Sequence, residues 1–165
     1  MKTINLTQGK VALVDNEDYG YLNRWKWYAS KESNIYYAAR HDKMSKSKRR
    51  TIRMHRIILS APDDMQVDHI NRNGLDNQKL NLRLCTRSEN TRYQCLNCKN
   101  IVGFKGVHIM KNIIQKPYRA QIRLNNKSIN LGCYSTPELA AQAYDKAALK
   151  YFGEFALTNK MLGLL

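Results

Sequence analysis

The sequence predicts an α+β protein: a β-rich N-terminal part leads into a compact strand–loop–strand–helix unit, and a three-stranded antiparallel sheet packed on one helix follows. Three observations predict this. Short β-branched and aromatic runs, broken by polar turns, fill the first part of the chain. Between Gln66 and Asn90 a strand-like run, an Asn- and Gly-rich loop and a second strand-like run end in a helix-start signal. The C-terminal third holds a strictly alternating strand, a turn and an amphipathic helix. The expected organisation is residues 1–93, a linker at 94–102, and a second domain at 103–160.

In the first part, residues 10–15 (KVALVD), 25–29 (WKWYA) and 35–40 (IYYAAR) read as strands, because branched and aromatic side chains fit a pleated, half-buried surface. Residues 41–50 (HDKMSKSKRR) are a basic run, read either as a solvated hairpin tip or as an arm that contacts a polyanion. Residues 53–60 (RMHRIILS) form a short helix or strand that ends at Ala61-Pro62, since the residue before a proline is steered away from helix. In the middle, a strand ends in Asp68-His69, a polar loop follows, and Asn81 opens the next strand. Thr86-Arg87-Ser88-Glu89 matches a capping box, so a helix starts there and runs to about Tyr93.

In the last part, Tyr118, Ala120, Ile122 and Leu124 alternate with Arg119, Gln121 and Arg123, giving a strand with one apolar and one polar face. Asn125-Asn126 turns the chain into a strand at 127–133, and residues 103–109 supply the strand before it. Ser135-Thr136-Pro137-Glu138 combines a capping box with a proline in the first turn. Leu139, Ala140, Ala143, Tyr144, Ala147, Ala148 and Tyr151 recur at helical spacing until Gly153 stops the helix.

Charge sets the partner. The 165 residues carry a formal net charge of +15, a field that concentrates polyanions and is screened by salt. Residues 1–60 hold 13 basic against 5 acidic residues, residues 61–99 hold 6 against 5, and residues 100–165 hold 9 against 3. A near-neutral centre between two basic flanks suits acidic groups that hold a cation while the flanks grip phosphates. Double-stranded DNA is the expected partner and a monomer the expected state. No apolar run approaches the ~18 residues that cross a bilayer, so no membrane is expected. MKTINLTQGK holds no apolar leader, which makes the cytoplasm the expected compartment. Four cysteines in such a chain read as reduced thiols.

The chemistry lies in VDHINRNGLDNQKLNLRLCTRSEN, residues 67–90. Hydrolysis of a phosphodiester needs a hard cation, a base and a fixed loop. Mg²⁺ takes oxygen ligands and keeps several waters, so one carboxylate (Asp68) and one amide (Asn90) are a sufficient protein set. His69 titrates near neutrality and is suited to take a proton from water. Asn81 is placed to bond the loop backbone and hold His69. An Asp-His pair amid asparagines is also an ordinary polar loop, and spacing alone leaves both readings open.

The string, with MHRIIL upstream, resembles the HNH nuclease family and its ββα-metal motif, notably the phage and intron-encoded homing branch. The resemblance implies that His69 is the general base, that Asp68 and Asn90 bind the metal (Mg²⁺ or Mn²⁺), and that Asn81 buttresses the histidine loop. Asn90 stands where other members carry histidine, a variant also found in the phage branch. The implied activity is hydrolysis of DNA to 5′-phosphate and 3′-hydroxyl ends.

Residues 103–159, with FKGVH, YRAQIRLNNKSINLGCY and ELAAQAYDKAALKYFGEFALTN, resemble the Apetala-type (ethylene-response-factor) DNA-binding domain. The resemblance implies a sheet seated in the major groove, with Lys105, His108, Lys111, Arg119, Gln121, Arg123 and Lys127 at the contact positions. Arg and Gln on one strand face also fit guanine and adenine edges on their own chemistry. The family's sheet tryptophans are absent, with Asn130 before LGCY, and KNIIQKP is an unusual loop, so no target sequence is implied.

Cys95-x-x-Cys98 has only Cys85 nearby, short of the four ligands of a structural zinc site, and zinc is not expected. Cys133 reads as core. His55 is expected to pack beside the site, and neither His55 nor His41 has a partner legible in the sequence. The rival reading is a DNA-binding regulator with an inactive HNH centre; the presence together of Asp68, His69, Asn81 and Asn90 argues against it. An RNA-binding protein is a weaker third reading.

Overall fold

The computed structural model describes residues 1–32, 34–43, 49–93, 100–111 and 113–165, and divides the chain into two compact units, Met1–Arg87 and Ser88–Leu165. The division falls at the start of the helix after the central hairpin, upstream of the 94–102 segment read as a linker.

In the first unit, β1 (Lys2–Asn5) pairs antiparallel with β2 (Val11–Val14), and α1 (Asn16–Leu22) follows. A three-stranded antiparallel sheet comes next: β3 (Tyr28–Glu32), β4 (Ile35–Lys43) and β5 (Arg49–Arg53), in the order β3-β4-β5. Then come α2 (Met54–Ile58) and the hairpin of β6 (Gln66–His69) with β7 (Leu82–Cys85), in which Asp68 faces Arg83 and His69 faces Leu82. The core gathers Ile4, Ala12, Val14, Leu22, Trp27, Ala38 and Met54.

Several expectations need correcting here. β1 and α1 were not expected; α1 has only seven residues, includes Gly20 and is too short to show a period, although Glu17 and Asp18 suit the positive end of a helix. The aromatic run at 25–29 is not one strand, because β3 begins only at Tyr28. Trp27 instead plugs the core and donates its indole N–H to Leu22 O at 2.8 Å, while Trp25 lies edge-on to Tyr21. Residues 53–60 resolve into the end of β5 and the helix α2. Asn81 closes a 3₁₀ turn (Lys79–Asn81), and the strand opens one residue later.

The second unit starts within α3 (Arg87–Arg92). Its sheet is β8 (Val107–Ile109), β9 (Tyr118–Leu124) and β10 (Lys127–Tyr134), with β9 in the middle and both pairings antiparallel. Asn125 and Asn126 take positive φ of 47° and 62°, the conformation a two-residue turn demands between right-twisted strands. α4 (Pro137–Phe152) starts at Thr136, whose hydroxyl accepts the Leu139 N–H at 3.3 Å, and ends at Gly153 with φ 53°. Its buried Ala140, Ala141, Tyr144, Ala147, Ala148 and Phe152 belong to the clusters that hold Val107, Ala120 and Ile122 of the sheet.

Two corrections fall in this unit. Residues 103–106 are turns, and the first strand is confined to Val107–Ile109. Gly106 has φ 75° and lies so close to Tyr144 that a Cβ would enter the ring, and the strand starts only after it. Cys133 is half-buried, not core, whereas Cys85 of the first unit is fully buried. Residues 95 and 98, and with them the zinc question, lie outside the described residues. Among the described residues no helix is long and apolar enough to cross a membrane.

Candidate active site and nucleic-acid face

The loop between β6 and β7 is built from side-chain hydrogen bonds to backbone. Asn81 accepts the Asn71 N–H on Oδ1 at 2.9 Å and donates from Nδ2 to Asp76 O at 2.8 Å, so one amide ties two points of the loop. Its own carbonyl accepts the Ile70 N–H at 2.9 Å. Asn71 and Asn73 each bond the backbone two residues on, which explains the asparagine-rich composition. The loop also leans on the N-terminal strand. Leu13 donates to Leu75 O, and Asn77 donates to Leu13 O, both at 2.8 Å. The Asp15 carboxylate accepts the Lys79 N–H at 2.8 Å and Gln78 Nε2 at 3.3 Å.

Asp68 and His69 stand at the end of β6, and both are buried. Arg83 reaches across from β7 and donates Nε and Nη2 to the single oxygen Oδ2 of Asp68, at 2.9 and 2.7 Å. His69 lies instead among rings: its centroid is 5.1 Å from that of His55 and 5.8 Å from that of Tyr37. Burial pushes the His69 pKa below its ordinary value, opposed by Asn77 and by the Asp68 and Asp76 carboxylates, which favour the charged ring. Although Asn77 faces His69 closely enough to act on it, neither of its amide atoms, nor His69 Nε2, completes a hydrogen bond of standard geometry. His55 is held lower still, at about 3, chiefly by burial and then by the neighbouring His69, Arg53 and Arg56. Tyr37 is raised by burial and by Glu32 and Asp68, against the pull of Arg53.

The structure thus brings Asp68, His69 and Asn81 together in the first unit. Asn90 lies half-buried on α3, in the second unit. Among the described residues no three His, Cys, Asp or Glu side chains gather as a metal cluster. A Mg²⁺-type ion needs no such cluster when waters and phosphate oxygens complete its shell. Asp68 fits that role: Arg83 donates twice to the one oxygen Oδ2, and Oδ1 is a hard donor. Arg83, Asn77, Tyr37 and Arg56 were missed in the sequence. Arg56 staples the approach to β6 by donating to Ala61 O, Pro62 O and Met65 O. The one available signal was its place beside His55 in MHRIIL.

In the second unit the sheet buries Val107, Ala120 and Ile122 and turns the alternate positions outward. His108, Lys111, Arg123 and Lys127 are exposed, while Arg119 and Gln121 are half-buried. Register sets His108 beside Arg119, Gln121 beside Asn130 and Arg123 beside Ser128. Lys105 is committed elsewhere, its Nζ donating to Arg92 O at 2.6 Å. Asn159 was also missed. Fully buried, it takes the Lys105 N–H on Oδ1 at 2.6 Å and donates to Asp145 Oδ1 at 2.8 Å, and Asp145 also accepts the Asn159 and Lys160 backbone N–H groups.

A strand-end Asp-His pair backed by an asparagine that fastens the following loop fits the site of a nuclease. Residues 60–92 match the family model described as HNH endonuclease. The chain is also 32% identical over 160 residues to an uncharacterized HNH endonuclease of Acanthamoeba polyphaga mimivirus, covering 93% of this chain and 77% of that relative. The chain belongs to the HNH endonuclease family.

Proposed function

We propose that this protein is a metal-dependent DNA endonuclease of the phage or mobile-element (homing) type, hydrolysing phosphodiester bonds as a monomer in the host cytoplasm. The observation that carries the reading is the Asp68-His69 pair at the end of β6, followed by a loop that the Asn81 side chain fastens at two points. His69, kept neutral by burial, accepts the proton of the attacking water as its oxygen adds to phosphorus and the bond to the 3′ oxygen breaks. Asp68 would hold the cation, Mg²⁺ or Mn²⁺, and the family resemblance implies Asn90 as its second ligand. When bound, such an ion would supply positive charge for the transition state and the leaving oxygen. Arg83 fixes the Asp68 carboxylate by two hydrogen bonds to Oδ2, and Asn81 fixes the turn that carries the site.

The β8–β10 sheet is the DNA-binding module of this reading, of the Apetala type, presenting His108, Lys111, Arg119, Gln121, Arg123 and Lys127, with Lys105 on the turn before it. Phosphate contacts from the basic flanks supply affinity, and the strand face supplies site preference. Supercoiled plasmid incubated with and without Mg²⁺ tests the proposal. Wild type nicks or linearises it only with the metal, and His69→Ala does so at least ~100-fold more slowly. Wild type that shifts DNA on a gel while leaving plasmid intact would establish the inactive regulator instead.

A further inference from the structure

The His69 ring is walled by side chains that come from outside residues 60–92, the segment shared with the family model. His55, on α2, meets it at 5.1 Å between centroids with the planes at 82°. Tyr37, on β4, meets it at 5.8 Å and 53°. The two walls also touch each other, at 5.7 Å and 76°, so three rings close a triangle. Ring pairs at these separations and tilts attract through their quadrupoles and resist rotation.

Each wall is seated independently of His69. His55 is only 4% exposed and follows Met54, which is fully buried in the core. Tyr37 lies under the loop of the β6–β7 hairpin at Gly74, where a Cβ would stand 2.7 Å from the Tyr37 ring carbons. His55 Nδ1 is enclosed and makes no hydrogen bond, and the contact that His55 makes with His69 is ring against ring.

We infer that His55, with Tyr37 beside it, is a positioning residue that holds the His69 imidazole in the one orientation from which it takes the proton. The inference rests on the role of His69 proposed above. Orientation matters because a reacting group displaced by about 1 Å forfeits on the order of 100-fold in rate. The neutral state of His55 agrees with the role, since a cation there would oppose the charge His69 acquires.

Steady-state cleavage of plasmid by the full chain, with Mg²⁺ or Mn²⁺, tests it in His55→Ala, His55→Phe and His69→Ala. His55→Ala lowers kcat about 10- to 100-fold with KM within about twofold, because DNA binding does not depend on the ring. His55→Phe restores the wall and recovers kcat to within about threefold of wild type. Carbon–proton spectra of the labelled histidines add a second readout: one sharp set of His69 ring signals in wild type and His55→Phe, broadened or doubled in His55→Ala. Should His55→Ala fail to fold, Tyr37→Leu carries the same expectation of a lower kcat at constant KM. His55→Phe as slow as His55→Ala, or a deficit confined to KM, overturns the inference. If His69→Ala is slow while His55→Ala and Tyr37→Leu cut at the wild-type rate, the base role stands and the positioning role falls. If His69→Ala itself cuts at the wild-type rate, the proposed mechanism fails and the inference with it.

Discussion

The buried His55 imidazole makes the first unit acid-sensitive in a way that one substitution isolates. Its pKa is held at about 3 in the folded protein against an ordinary histidine value of 6.5. The unfolded chain therefore binds a proton between these values that the folded chain refuses. The contribution is present in full above pH 6.5 and is lost as pH falls below it, levelling off near pH 3. At pH 5 the deficit is 1.5 pH units at 1.36 kcal/mol each, or about 2 kcal/mol relative to pH 7.5. Trp25 and Trp27 are the two tryptophans of the chain and both lie in the first unit, so urea unfolding followed by their fluorescence reports that unit alone. His55→Phe keeps the volume and removes the titration. Between pH 7.5 and 5 wild type loses about 2 kcal/mol more than the variant, and carboxylates distant from His55 contribute to both curves alike. A difference under about 0.5 kcal/mol would refute the reasoning, because it would mean the folded state admits the proton.

Other substitutions probe other parts of the molecule. Asn81→Ala frees the loop of the β6–β7 hairpin at two points and lowers kcat by roughly 10-fold or more while DNA binding on a gel is retained. Gly106→Ala combines a positive φ with a collision against Tyr144 and destabilises the second unit by at least ~3 kcal/mol, seen as a lower thermal midpoint. Asn159→Leu removes the side-chain acceptor of the Lys105 N–H and one of the two donors to Asp145 Oδ1, costing about 2–4 kcal/mol in chemical denaturation. Replacing the exposed Arg123 and Lys127 with glutamine weakens DNA binding and reduces the slope of log K against log salt by about 2, measured by anisotropy titration.

Elements with a clear period were legible in the sequence, and elements defined by tertiary contacts were not. β9 coincides with its expected span because each apolar residue alternates with a polar one, and α4 because Thr136 and Gly153 mark its ends chemically. α1 and the late start of β8 depend on what surrounds them: a short acidic stretch that seats Leu22 in the core, and a glycine pressed against Tyr144. At the site, Asp68, His69 and Asn81 could be named from local spacing. Arg83 could not, since its pairing with Asp68 follows from a hairpin register that the intervening loop sets. Tyr37 was equally hidden, because it reaches His69 from a separate sheet. His55 was expected near the site, but its partner became visible only in the packed rings.

The hydrogen bonds that join Leu13 and Asp15 with the stretch between Leu75 and Lys79 bear on how small a working fragment can be. The recognisable segment is a passenger on a strand laid down at the very start of the chain. Excised by itself, or grafted onto another scaffold, it would leave behind the edge that keeps its loop in shape, along with Tyr37 and His55. The loop therefore keeps its shape only with the N-terminal hairpin present, and a transplant that carries the site must carry that hairpin too.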